Sequence, residues 1–159
     1  MTFEDLLARD GKLVYKTRGR SMEPMLRQDR DLVILELVKG KLKRHDAALY
    51  RRGKDYVLHR VIQAGENNYL FRGDNTYTEE IVHPEAVIGV LTGFVRKGRR
   101  ISVMDRKYRL YVKCWCTAYP LRRLAIHTIR GIKRMVKRFL RRSTALSRQT
   151  KTERSIHND

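Results

Sequence analysis

Three short segments of this chain each set a reactive side chain among turn-forming or strand-forming residues: Gly19-Arg20-Ser21-Met22-Glu23-Pro24-Met25, Val57-Leu58-His59-Arg60-Val61 and Arg72-Gly73-Asp74-Asn75. A serine hydroxyl is a weak nucleophile until a base within hydrogen-bond reach takes its proton, and the base is usually oriented by a third group. Ser21, His59 and Asp74 are residues of those three types. Taken singly, each has a plainer reading, Ser21 as a turn serine and His59 as a hydrogen-bonded histidine in an apolar strand. Together the three supply the residue types that nucleophilic acyl transfer needs.

The segment Ser21-Met22-Glu23-Pro24 resembles the nucleophile box of type I signal peptidases and of the related self-cleaving SOS-repressor peptidases. Val57-Leu58-His59-Arg60-Val61-Ile62 is similar to their base-carrying segment, in the histidine form of the endoplasmic-reticulum and archaeal enzymes rather than the lysine form of the bacterial ones. Arg72-Gly73-Asp74-Asn75 resembles the Gly-Asp-Asn box that follows the base. Gln28-Asp29-Arg30-Asp31-Leu32-Val33 and His45-Asp46-Ala47-Ala48-Leu49 stand where the family has two Gly-Asp strand starts. The resemblance covers roughly residues 12 to 95.

What the resemblance implies is a serine endopeptidase that uses no cofactor or metal. Ser21 attacks a peptide carbonyl, His59 takes its proton and returns it to the leaving amine, and Asp74 orients or charges the imidazole. The family's second acid falls at Glu79 or Glu80, and we take Glu80 as the accessory acid. The signal peptidases place a hydroxyl residue two before the nucleophile, where this chain has Gly19, so the oxyanion donors expected are the backbone N-H groups of Ser21 and Gly19. Met22 and Pro24 are read as structural, Met22 packing under the nucleophile turn and Pro24 fixing the backbone after it. The substrate implied is an extended peptide or precursor protein, leader-like, with small residues beside the cleaved bond.

Such a site needs a rigid frame, and the hydropathy pattern supplies one. Thr2 followed by Asp5 reads as the capped start of a short helix that ends at Asp10-Gly11. From Lys12 the period changes to alternation, and Asp31 to Val38 is an apolar, β-branched run. Further strands are expected over 46–51, 56–64, 69–71, 85–95 and 100–104, with Gly65 to Asn68 as a hairpin turn. The fold expected is mainly β: a compact antiparallel domain over residues 1–104 with a short N-terminal helix.

After Asp105 the pattern turns helical, with Tyr108, Tyr111, Trp115 and Tyr119 three or four apart. Beyond Pro120, Leu121, Leu124, Thr128, Ile132, Met135 and Phe139 form one stripe among arginines and lysines, a helix of about 34 Å at 1.5 Å per residue. We therefore expect a basic amphipathic extension over 105–142 and a disordered tail over 143–159.

The formal charge of +19 lies mostly in the C-terminal segment that contains this extension: residues 96–142 hold 17 Lys+Arg against 1 Asp+Glu, while residues 1–95 hold 16 against 14. The extension suits an anionic membrane surface, since each Lys or Arg near such a leaflet contributes about 1 kcal/mol and tyrosine and tryptophan favour the interface. Nucleic acid is the weaker alternative, because no recognition motif accompanies the charge. Cys114 and Cys116 are too few and too close for a secreted disulfide framework, and with His127 they have irregular spacing for a metal site. His45, His83 and His157 are given no role. No targeting segment or membrane-spanning run is evident, so the expectation is a cytoplasmic protein, peripheral at the inner face of the membrane. The competing class is a non-catalytic or self-cleaving peptidase-like module whose basic helix binds an anionic membrane or nucleic acid.

Overall fold

Residues 2–124 and 135 are described by the structure, a computed structural model. Residues 1–117 form one compact unit and residues 118–159 a second.

The first unit opens with helix α1, Phe3–Asp10. Its ends follow from local chemistry. The Thr2 hydroxyl accepts from the Asp5 N-H while the Asp5 carboxylate accepts from the Thr2 N-H, closing a capping box. At the other end Gly11, at φ 66°, supplies the left-handed residue that stops the helix. Eight strands follow: β1 Lys12–Lys16, β2 Leu32–Glu36, β3 Ala47–Arg52, β4 Asp55–Ala64, β5 Tyr69–Arg72, β6 Glu79–Val82, β7 Val87–Arg96 and β8 Arg99–Ser102. A 3-10 turn, Pro84–Ala86, leads into β7, and helix α2, Arg106–Thr117, closes the unit.

The architecture is mainly antiparallel β, as the hydropathy pattern indicates. The strands lie in the order β1-β2-β7-β3-β4-β5-β6, with β8 paired to β7, and every pairing is antiparallel. The central strand β3 is buried on both faces because alternate side chains enter two different cores. Ala47 and Leu49 join Leu7, Val33, Leu35, Leu58, Leu91 and Phe94, whereas Ala48 and Tyr50 join Leu42, Val61, Tyr69, Phe71 and Val82.

Helix α2 belongs to this unit. Tyr108 and Val112 are buried in the first core, and the Phe94 and Tyr108 rings lie 6.0 Å apart between centroids. The domain boundary expected at 104 therefore falls later: the first turns of the basic extension bury their aromatic and branched residues against the sheet and are part of the same body. Cys114 and Cys116 sit on α2, Cys114 exposed and Cys116 half-buried. In the second unit residues 119–124 are helical, and the Arg122 guanidinium lies 5.8 Å from the Tyr119 ring centroid. The remainder of the stripe expected to 142, with His127, and the tail expected over 143–159, with His157, lie outside the described residues except for Met135. Among the described residues no helix is long and apolar enough to cross a membrane.

Two expectations changed in detail. β6 was not anticipated, since Glu79-Glu80-Ile81-Val82 is a short edge strand with Ile81 exposed, and it lacks the alternation that marks a half-buried strand. The run expected over 85–95 starts with a turn because Pro84 begins a 3-10 helix.

Candidate active site

The sheet register fixes where the candidate base points. On β4, His59 lies opposite Ala48 of β3 and Arg60 opposite Ala47, so the two neighbours project to opposite faces. On the His59 face, its diagonal neighbour is Tyr50, two residues along β3. The Tyr50 hydroxyl stands 3.1 Å from His59 Nδ1 and donates to Glu80 Oε2 at 2.9 Å. Arg52 Nη1 donates to the other oxygen, Oε1, at 2.8 Å. Strand β6 brings Glu80 there by pairing it with Phe71, while its neighbour Glu79, opposite Arg72, accepts from that arginine at 2.7 Å.

This arrangement sets the tautomer. A phenol has one proton to give. Tyr50 gives it to Glu80, so it must accept from His59, which places the imidazole hydrogen on Nδ1 and leaves Nε2 with the basic lone pair. His59 is buried, at 5% exposure, and burial pushes its pKa below the usual histidine value. Glu80 and Asp74 pull it up and Arg52 pushes it further down, with burial prevailing. Burial, then the bond to Glu80, raises the Tyr50 pKa, so the phenol keeps its proton.

On the opposite face Arg60 is fully buried and makes a bidentate pair with Asp74, Nε to Oδ1 and Nη2 to Oδ2 both at 2.7 Å. Arg60 also donates to the His45 carbonyl at 2.9 Å, to Met25 Sδ at 3.1 Å and to the Tyr108 hydroxyl at 3.4 Å. Burial works against the guanidinium charge, yet Asp74 outweighs it and the pKa of Arg60 goes up. Asp74 was expected to orient or charge His59. In the structure its carboxylate pairs with Arg60, its charge raises the His59 pKa, and the Tyr50 hydroxyl is hydrogen-bonded to the ring.

Ser21 sits in a loop whose shape is set at both ends. Gly19 has φ 81°, a conformation that disfavours any side chain. The Glu23-Pro24 bond is cis, and Met22, Met25 and Leu26 anchor the loop in the first core, with Pro24 exposed. The turn after β5 grips it from the other side. A Cβ on Gly73 would lie 2.6 Å from the Ser21 carbonyl oxygen and 3.0 Å from Ser21 Cβ, so only glycine allows the approach. The Asn75 N-H donates to the Ser21 carbonyl at 2.7 Å, and Asn75 Nδ2 to the Arg20 carbonyl at 3.2 Å. The Ser21 and Gly19 N-H groups donate to no protein acceptor among the described residues.

Ser21 and His59 line one cleft of about 980 Å³, together with Gly19, Glu80 and Arg52. Its long walls are β1 with the residues after it and the first half of β4. Both walls carry unpaired backbone: β1 ends the sheet order, and β5 pairs with β4 only from Arg60 onward. Together they make a groove with free strand edges, the half-buried Ser21 and an imidazole whose tautomer Tyr50 sets.

Neither protein-family models nor curated protein sequences give a match to this chain. Sequence reading missed Tyr50, Arg52 and Arg60, whose roles depend on strand register. The one available signal was the alternation of 47–52, which places Tyr50 and Arg52 on one face.

Proposed function

We propose that this chain is a serine endopeptidase of the signal-peptidase-like superfamily, of the histidine-base type. The observation that carries the reading is the His59-Tyr50-Glu80 relay beside Ser21 in one cleft, which leaves Nε2 as the basic nitrogen. An extended peptide adds as a strand against the free edges of β1 and β4, presenting its carbonyl to Ser21. His59 Nε2 takes the Ser21 proton as Oγ attacks. The oxyanion is met by the uncommitted N-H groups of Ser21 and Gly19. The imidazolium is balanced by Glu80 through Tyr50 and by Asp74 at longer range, then gives its proton to the leaving amine. Water, deprotonated by the same imidazole, releases the acyl group.

The outward cations of α2, Arg106, Lys107, Arg109 and Lys113, are exposed and make no ion pair with another described residue. They support docking of the protein at an anionic membrane surface from the cytoplasmic side. A diverse peptide pool incubated with wild type, Ser21→Ala and His59→Ala, with and without anionic vesicles, tests both points. Cleavage by wild type alone, read by mass spectrometry and enhanced by vesicles, is expected. Equal cleavage by all three proteins removes the mechanism, while salt-sensitive vesicle binding without turnover favours a binding module.

A further inference from the structure

The catalytic segments end before β8, yet a residue well beyond them reaches the turn that holds the nucleophile. Trp115, on the inner side of α2, donates its indole N-H to the Asp74 carbonyl at 3.1 Å. The next residue, Asn75, donates to the Ser21 carbonyl at 2.7 Å, and Gly73 on the other side lies against Ser21 with no room for a side chain. The Asp74 side chain is meanwhile clamped by Arg60. The turn is thus held by Arg60 through its carboxylate and by Trp115 through its backbone, while it grips the serine loop with the amide that follows.

We propose that Trp115 is a positioning residue for Ser21, so that helix α2 completes the catalytic site rather than merely covering the sheet. The proposal rests on the peptidase reading. Its physical basis is that the 73–75 turn has two ways to shift away from Ser21, by rotation of the Asp74 side chain or by rotation of the Asp74-Asn75 peptide. Arg60 restrains the first. The Trp115 bond restrains the second, because that peptide carries both the carbonyl that Trp115 holds and the N-H that holds Ser21. Loosening it displaces the nucleophile, and sub-ångström misplacement of reacting atoms is felt in turnover rather than in substrate affinity. The helix can serve this way because Tyr108 fixes it in the first core and because Tyr111 stacks on Trp115 at 5.8 Å between ring centroids.

The test uses the full chain and the pool peptide that wild type cleaves fastest. Trp115→Phe and Trp115→Tyr keep an aromatic ring and lose the N-H. Both are expected to lower kcat about tenfold with KM within twofold of wild type and with the acid limb of the pH profile in place. Val112→Ala is the comparison, since it thins the same helix's packing without touching the turn. It should lower the melting temperature at least as much as Trp115→Phe and leave kcat unchanged. Wild-type kcat in both Trp115 variants overturns the proposal, as does an equal loss of kcat in Val112→Ala, which would assign the effect to helix packing. Wild type with no turnover above Ser21→Ala sinks the peptidase reading itself, and this proposal with it.

Discussion

Tyr50 and His59 share a hydrogen bond of 3.1 Å in which the imidazole must be the donor, because the phenol's proton is already given to Glu80. The candidate base is therefore oriented by a carboxylate acting through a buried hydroxyl, and the acid that does so lies on an edge strand.

Glu80→Gln reverses this polarity. The amide can donate to Tyr50, freeing the phenol to donate to Nδ1 and moving the imidazole hydrogen to Nε2, where it blocks proton uptake from Ser21. A fall in kcat of roughly 10²-fold is expected, in the sense of a wrong-tautomer variant of a serine protease. Tyr50→Phe should lose less, about tenfold, because the ring keeps its packing. Steady-state kinetics with a cleaved peptide decides the matter, and wild-type kcat in Glu80→Gln would remove the relay from the mechanism.

The pH profile follows from the buried imidazole. Since burial holds its pKa below the ordinary value of about 6.5, activity should persist below that pH and fall only further into acid. In Glu80→Gln a carboxylate that raises the His59 pKa is gone, so the acid midpoint should move lower still. Stability carries the same sign: below about pH 6.5 the unfolded histidine binds a proton that the folded one does not, so this contribution declines as pH falls. An acid midpoint above 6.5 in kcat/KM would contradict the assignment.

The Arg60 and Asp74 pair is buried and bidentate, so each charge depends on the other. Asp74→Asn or Arg60→Met leaves one charge buried without its partner and is expected to cost about 3 to 5 kcal/mol in urea unfolding. The double variant Arg60→Met/Asp74→Leu should recover much of the loss. Two single variants whose costs simply add in the double would show that the pair is not coupled.

Gly73→Ala places a methyl group 2.6 Å from the Ser21 carbonyl oxygen, a backbone atom that must move. Overpacking of this kind costs about 1 to 3 kcal/mol, and the displaced serine should lose at least tenfold in kcat. Unchanged turnover in a folded Gly73→Ala protein would show that the loop has slack.

The fold was legible where period and punctuation agree. The Thr2-Asp5 cap, the Lys12 to Thr17 alternation and the Gly65 to Asn68 turn each state a local preference that the sheet then respects. β6 was not legible, because an edge strand with exposed Ile81 carries no burial pattern. At the site, Ser21 and His59 stood out by residue type, and Glu80 by its offset from Asp74. The division of labour between Asp74 and Glu80 did not. It depends on Arg60 taking one acid on one face of β4 while Tyr50 links the other to His59 on the opposite face, and a linear chain does not display which strands are neighbours.

The site draws its parts from the whole length of the first unit, since Ser21 and His59 come early but the 73–75 turn and Glu80 come later, on strands that must pair before either can act. During synthesis from the N-terminus, Ser21 and His59 emerge before the residues that place and polarise them. Any hydrolytic power is thus among the last properties the chain acquires.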